Sequence, residues 1–239
     1  MPVYRLSSEL VFPFPHLAID EGLLAVGGDL SVQRLLLAYS KGIFPWYSKG
    51  EPILWWSPDP RLVLYPADLN ISRRLQRTLR QGRFQVTFDQ AFDQVIQGCS
   101  SIPRGSQEGT WITEEMIAAY IVLHQEGFAH SVEAWWDGRL AGGLYGVSLG
   151  GSFFGESMFH LASDASNVAL ATLVWYLTKW DFELIDCQVN TDHLIRMGAR
   201  EISRNRFLRQ LEASLKKPTM RGKWAAMSKI RLWKDGPDS

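Results

Sequence analysis

The sequence predicts an α+β protein in which a small N-terminal α/β domain, residues 1–65, precedes a larger domain spanning 66–239. Three observations carry this expectation. Residues 1–65 are rich in Pro, Gly and Trp and contain only short apolar runs. Residues 131–156 read as antiparallel strands around Asp137-Gly138, a strong hairpin signal. Helix-period segments with recognisable starts and stops lie on both sides of that hairpin series. The chain has 239 residues, 46% of them hydrophobic, which suffices for a core. No apolar run reaches the roughly 18 residues that a membrane span needs, so no membrane association is expected.

In chain order, the first helix is expected over 31–41, with Ser31 as cap, Leu35, Leu36 and Tyr39 at helical spacing and Gly42 as the stop. Phe44-Pro45-Trp46-Tyr47 and Trp55-Trp56-Ser57-Pro58-Asp59-Pro60-Arg61 read as ordered loop with a short strand, because each residue before proline is pushed towards extended geometry. After Ser72, Arg73, Arg77 and Arg80 fall on one helical face and Leu75 and Leu79 on another. A helix over 113–127 has Thr113 as cap, Glu114 and Glu115 in its first turn and Gly127 as its end. Strands follow at 131–136, 139–149 and 152–156, then a helix over 165–180, a strand at 184–189 and helices at 191–197 and 204–215. From residue 110 the order is helix, three antiparallel strands, helix, strand, helix, which fits the N-acetyltransferase-type α+β fold.

Charge is unevenly placed although the formal net charge is zero. Between Asp68 and Asp89 stand five arginines (73, 74, 77, 80 and 83) and no acid. Residues 196–234 hold twelve Lys/Arg against Glu201 and Glu212, whereas residues 84–195 hold three basic and fourteen acidic side chains. Such separation suits a polyanion on one surface and a cation on another; solvated faces without a partner are the plainer reading. Cys99 and Cys187 show no Cys-x-x-Cys spacing, and the start of the chain lacks the basic and apolar regions of a signal peptide; both point to the cytoplasm. The five histidines never pair at i, i+4 around a carboxylate, so no metal site is expected.

Asp186 and Gln188 stand two apart on an otherwise apolar strand, so both are expected on one face with Cys187 on the other. Polar groups in such a strand need partners or a cleft. Asp186 reads either as a buried anchor or as the group that orients Gln188 or holds a cation. Glu156, after Ser152-Phe153-Phe154-Gly155, is either where the strand meets water or a second acid in the same cleft. Leu144, Phe153, Met158, Leu170, Leu173 and Leu177 are candidates for an apolar pocket as well as for plain core. Trp46 and Trp111 are candidates for stacking on a base.

Several blocks resemble the leucyl/phenylalanyl-tRNA–protein transferase family: Gly27-Gly28-Asp29-Leu30, Gly42-Ile43-Phe44-Pro45-Trp46, Leu54-Trp55-Trp56-Ser57-Pro58-Asp59-Pro60-Arg61, Gly109-Thr110-Trp111-Ile112-Thr113, Gly142-Gly143-Leu144-Tyr145-Gly146-Val147, Phe154-Gly155-Glu156-Ser157-Met158-Phe159 and Leu184-Ile185-Asp186-Cys187-Gln188-Val189. They run in order from about residue 12 to 208, and the Trp-Trp-Ser-Pro-Asp-Pro-Arg and Gly-Glu-Ser-Met-Phe blocks are the specific ones. The resemblance implies a bacterial cytoplasmic aminoacyltransferase, a small N-terminal domain beside an acetyltransferase-like domain, and no cofactor. The implied donors are aminoacyl-tRNAs carrying Leu, Phe or Met. The implied acceptors are proteins beginning with Arg or Lys, which are thereby marked for N-end-rule degradation by an enzyme expected to act as a monomer. It implies that Trp46 contacts the terminal adenosine with Trp111 lining the site, that Glu156, Asp186 and Gln188 form the catalytic and acceptor-binding cleft, and that Arg73, Arg74, Arg77 and Arg80 hold tRNA phosphates. The family pattern has phenylalanine at Leu173 and Leu177, which leaves the Leu-versus-Phe preference open. An acetyl-CoA-dependent acetyltransferase would need a glycine-bearing pyrophosphate loop, and residues 157–166 contain no glycine. A non-catalytic RNA-binding adaptor would leave Asp186 and Gln188 without work.

Overall fold

The computed structural model describes residues 3–101 and 111–226. Gly109 and Thr110 of one motif, and Lys229, Arg231 and Lys234 of the basic C-terminal stretch, lie outside the described residues.

The N-terminal part comprises β1 (Tyr4–Leu6), β2 (Leu23–Gly27), α1 (Val32–Ser40), β3 (Phe44–Pro45) and β4 (Leu54–Trp56). The segment expected to be mostly loop therefore forms a four-stranded sheet in the order β1-β2-β4-β3. Its strands are too short for periodicity to register. β5 (Arg61–Leu64) follows but leaves this sheet, pairing with the second one, so the chain passes from one sheet to the other between Trp56 and Arg61. Next come α2 (Arg73–Gln81), β6 (Gln85–Phe88), α3 (Phe92–Ser101), α4 (Glu114–Gln125), β7 (Ala129–Trp136), β8 (Arg139–Leu149) and β9 (Ser152–His160). The chain continues through α5 (Ala165–Lys179), β10 (Leu184–Gln188), α6 (Asp192–Arg196), β11 (Arg200–Ile202) and α7 (Arg204–Ser214).

The second sheet has seven strands in the order β11-β5-β10-β9-β8-β7-β6. All neighbours are antiparallel except β9 and β10, which the crossover helix α5 makes parallel. The expected order of helix, three antiparallel strands, helix, strand, helix is present from α4 to α6. β9 runs to His160 rather than ending at Glu156, because Ser157–His160 pair with Gly142–Tyr145 of β8. Asp137 and Gly138 both take positive φ, as the two-residue hairpin turn requires. Ser31 and Thr113 act as the expected caps, each accepting a backbone N–H from the first turn of the helix that follows, and Thr191 caps α6 in the same way.

Both faces of the seven-stranded sheet are covered, so neighbouring residues serve different cores. Val63, Tyr145 and Phe154 face a core shared with the N-terminal sheet, α1, α3 and α4. Leu62, Leu64, Leu144 and Phe153 face a second core under α2 and α5. Gly146 in β8 allows the central strands to approach: a Cβ there would lie 2.2 Å from the Phe154 carbonyl oxygen and 2.6 Å from the Phe153 ring. Gly146→Ala should therefore destabilise the fold by about 1–3 kcal/mol, the usual range for overpacking a rigid core. An unchanged thermal midpoint would show that the strands can part freely at this point.

Candidate active site

Two bulges in adjacent strands build the site. Pairing between β9 and β10 ends at Phe154 and Asp186, although β9 continues. On β9, Ser157 lies opposite Tyr145 and Gly155 opposite Gly146, so Glu156 is the extra residue. On β10, Asp186 lies opposite Val63 and Gln188 opposite Leu62, so Cys187 is the extra residue. Gln188 takes φ of 64°, a left-handed conformation that re-aims its side chain. Its Nε2 donates to Glu156 Oε1 at 2.9 Å.

The bulge overturns the expectation that Asp186 and Gln188 share a face. Ile185, Cys187 and Gln188 line the cavity among the described residues, and Asp186 does not. Asp186 instead receives both arms of Arg61, Nε at 2.8 Å on Oδ1 and a terminal nitrogen at 2.7 Å on Oδ2. Asp186 Oδ1 also accepts the backbone N–H of Gln188 at 3.0 Å. Both members of the ion pair are buried, and the guanidinium lies against the Phe44 and Phe207 rings. Asp186 is thus committed to holding the backbone at Gln188, and it presents no carboxylate oxygen to a bound cation.

Glu156 is buried and accepts from three side chains: Tyr39 at 2.8 Å and Gln188 on Oε1, and Tyr120 at 3.0 Å on Oε2. Burial pushes its carboxyl up to about 7. The three donors pull the other way, and nearby Asp186 adds to the rise. Burial, followed by the neighbouring Glu156, also raises both phenols well above their ordinary range, so they stay protonated. The Tyr39 and Tyr120 hydroxyls are in direct hydrogen-bond contact as well. Each phenol has only one proton to give. With Glu156 ionised, both protons go to the carboxylate and none lies between the phenol oxygens. A proton on Glu156 closes the ring: the acid donates to Tyr120, Tyr120 to Tyr39, and Tyr39 back to Glu156.

A cavity of about 1380 Å³ opens onto this cluster. The most buried part of its lining, here called the lobe, is apolar: Leu144, Phe153, Leu170 and Leu173, with Met158 half-buried. Leu177, expected with them, lies one turn further along α5 and is wholly buried in the second core rather than in the cavity wall. The more exposed lining includes Trp46, Trp56 and Trp111 and the charged side chains Lys49, Glu51 and Glu114. The Trp46 ring is tilted against Trp56 at 5.8 Å, and the Trp56 indole N–H donates to the Trp46 carbonyl. Trp46 is 40% exposed, leaving ring surface free.

On α2, Arg73, Arg74, Arg77 and Arg80 are all exposed. Arg74 forms an ion pair with Asp164 at the start of α5, whereas the other three make no ion pair among the described residues. The basic C-terminal stretch is more committed than its sequence suggests. Arg200, Arg204, Lys217 and Arg221 pair with Asp68, Asp59, Asp181/Glu183 and Glu126, respectively. No helix among the described residues is long and apolar enough to cross a membrane.

Sequence reasoning assigned no role to Tyr39, Tyr120 or Arg61. The tyrosines carried one signal: each sits on the apolar face of a helix, where a buried phenol must find a partner.

Comparison with known proteins identifies the framework that holds this site. The profile of the leucyl/phenylalanyl-tRNA protein transferase family matches residues 63–212, and the profile of its N-terminal domain matches residues 28–59. The chain belongs to the leucyl/phenylalanyl-tRNA–protein transferase family. Proteins of that name from Desulforapulum autotrophicum and Desulfatibacillum aliphaticivorans are 58% and 59% identical to it. The first match covers 94% of this chain and 98% of the relative; the second covers 97% and 100%. Among solved structures, a GCN5-related N-acetyltransferase from Kribbella flavida aligns with 70% of this chain and 60% of that one, at 10% identity and a TM-score of 0.33. The family is one of bacterial transferases that join an aminoacyl group to a protein.

Placing the folded carboxyl of Glu156 near 7, against 4.5 for the free group, fixes a pH signature. Between those values the folded state holds a proton that the unfolded state has lost, so this residue's contribution to stability falls as pH rises. The stability of the native protein relative to Glu156→Gln should decline by on the order of 3 kcal/mol from about pH 4.5 to about pH 7, and level off above. Denaturant titrations of both proteins across that range would measure it. A difference independent of pH would mean that Glu156 is ionised throughout.

Proposed function

We propose that the cavity binds the 3′ end of an aminoacyl-tRNA and joins its Leu, Phe or Met to the α-amino group of a protein beginning with Arg or Lys. The observation that carries this reading is the direct adjoining of an apolar lobe and a buried Glu156–Gln188 hydrogen bond in one cavity. The aminoacyl side chain enters the lobe of Leu144, Phe153, Met158, Leu170 and Leu173, which rejects polar side chains by leaving them unpaired. The terminal adenosine lies against Trp46 and Trp111 at the mouth, with a stacked base contributing about 1–3 kcal/mol. The acceptor's cationic side chain faces Glu156; with Asp186 spent on Arg61, Glu156 meets that charge alone.

The donor is an activated ester, and its conversion to an amide runs downhill. The acceptor nitrogen attacks the ester carbonyl, a C–N bond forms, the C–O bond to the ribose breaks, and the proton leaving the nitrogen ends on the ribose oxygen. An α-amine with an ordinary pKa of about 7.7–8.0 is appreciably neutral near pH 7.5, so a strong base is unnecessary. Orientation can supply as much as roughly 7–11 kcal/mol. Gln188 gives one amide proton to Glu156 and keeps its carbonyl oxygen to guide the amine. Asp186 is a positioning residue for Gln188. The tRNA acceptor stem lies along α2, where Arg73, Arg77 and Arg80 meet phosphates and Arg74 is shared with Asp164. The extended proteins are thereby marked for degradation through their new N-terminal residue, in the cytoplasm.

Transfer of labelled leucine from Leu-tRNA to three matched peptides beginning with Arg, Lys or Asp, without CoA or ATP, tests the reaction. Label should appear on the Arg and Lys peptides alone. Intact tRNA binding without label on any peptide would overturn it in favour of an RNA-binding adaptor. Changing Arg73, Arg77 and Arg80 together to Ala should weaken tRNA binding and flatten its dependence on salt, since each lost phosphate contact removes released counterions. Binding with unaltered affinity and slope would remove α2 from the interface.

A further inference from the structure

The C-terminal strap that follows α7 reaches back into the second core. Lys217 is tied to Asp181 and Glu183, and Thr219 Oγ1 accepts the Gly150 N–H at 2.9 Å. Gly222 N–H bonds to the Gly127 carbonyl, and the Trp224 N–H donates to buried Asp89 Oδ2 at 2.7 Å. The Trp224 indole is completely buried, stacked on His130 at 3.8 Å and 9°. Its remaining neighbours include Trp180 at 5.0 Å, Phe182 at 6.0 Å and Phe153 at 5.9 Å.

Phe153 connects this strap to the cavity. It forms part of the wall of the apolar lobe, yet its ring also rests on Gly146 and against Trp224. Gly146 cannot yield, because it is backbone of β8. Trp224 is therefore the adjustable neighbour behind Phe153. His130 stacking and the Asp89 bond hold Trp224 in one place behind Phe153, and Trp224 itself is not part of the cavity lining.

We infer that Trp224 is a specificity-determining residue, which fixes how far Phe153 projects into the lobe and so sets the preference between leucyl and phenylalanyl donors. The inference rests on reading the lobe as the aminoacyl pocket. Trimming Trp224 lets Phe153 recede, deepens the lobe and favours the larger side chain.

The test is internal competition: equal amounts of Leu-tRNA and Phe-tRNA with one Arg peptide, read as the ratio of phenylalanine to leucine transferred. Trp224→Leu should move that ratio about tenfold or more towards phenylalanine, the low end of what a change of about one methylene in an apolar pocket gives. Trp224→Phe, which keeps a ring in place, should shift it less and in the same direction, and it alone decides if the leucine variant does not fold. Phe153→Leu should shift the ratio by itself, and adding Trp224→Leu to it should produce no further change. A purely structural tryptophan would slow both donors alike and leave the ratio untouched. If Phe153→Leu shifts the ratio and neither Trp224 variant does, the inference is overturned while the pocket reading stands. Additive shifts in the double variant would also overturn it, since Trp224 would then act by another route. If Phe153→Leu leaves the ratio unchanged, the pocket reading falls and takes this inference with it.

Discussion

The ion pair between Arg61 and Asp186 is the constraint on which the site geometry depends. Both groups are buried, and removing two charges from water costs several kcal/mol per ion before any attraction is counted. The loss is offset by a two-pronged contact, by the Gln188 N–H on Asp186 and by ring faces on each side of the guanidinium. Those rings come from Phe44 in the N-terminal sheet and Phe207 in α7. One charge pair thus joins the N-terminal sheet, β5, β10 and α7. It also selects the bulged form of β10: Asp186 turned towards Arg61 draws the next N–H but one onto its own oxygen. Gln188 is left in the left-handed region, facing Glu156.

Much of the framework was legible in the sequence because it follows from local rules. Ser31, Thr113, Asp137-Gly138 and the apolar face of α5 each act through residues a few positions away, so a single segment contains its own evidence. The candidate site was legible as a set of residues and less so as an arrangement. Strand alternation placed Asp186 and Gln188 together, and that rule holds only while pairing is regular. The departure arises from Arg61, 125 residues earlier, which no periodicity connects to residue 186. Tyr39 and Glu156 are likewise 117 residues apart, and Tyr39 and Tyr120 are 81 apart. Leu177 illustrates the opposite limit. Helical spacing put it on the same face as Leu170 and Leu173, but the lobe ends before it does.

Charge reading shows the same division. The arginines of α2 remain exposed, as their spacing on one helical face suggested. The C-terminal basic residues are dense in sequence, yet four of them are spent on acids from distant segments. Density of charge along a chain measures what is available. Pairing in three dimensions decides what remains for a partner, and Arg74, held by Asp164 within an otherwise free row, shows how finely that can vary.

A carboxyl near 7 is an economical answer to a difficulty in the proposed reaction. An acceptor beginning with Arg or Lys must have its side-chain cation recognised in a buried place, and a bare carboxylate kept there between turnovers would be costly. With its carboxyl raised to about 7, Glu156 lessens that cost by holding a proton for part of the time near neutral pH, and that proton joins the ring with Tyr120 and Tyr39. An arriving guanidinium or ammonium lowers the pKa of a neighbouring acid and draws the remaining proton off, so the carboxylate is fully formed when it has a counterpart. Gln188 bonds to the same carboxyl, and therefore registers the change directly beside the amine it is proposed to guide. On this account recognition of the acceptor and orientation of its nitrogen are linked through one hydrogen bond. A neutral acceptor side chain would leave the balance between the two forms of Glu156 unchanged and the linkage unused, so such proteins are poor acceptors even where they fit the cavity.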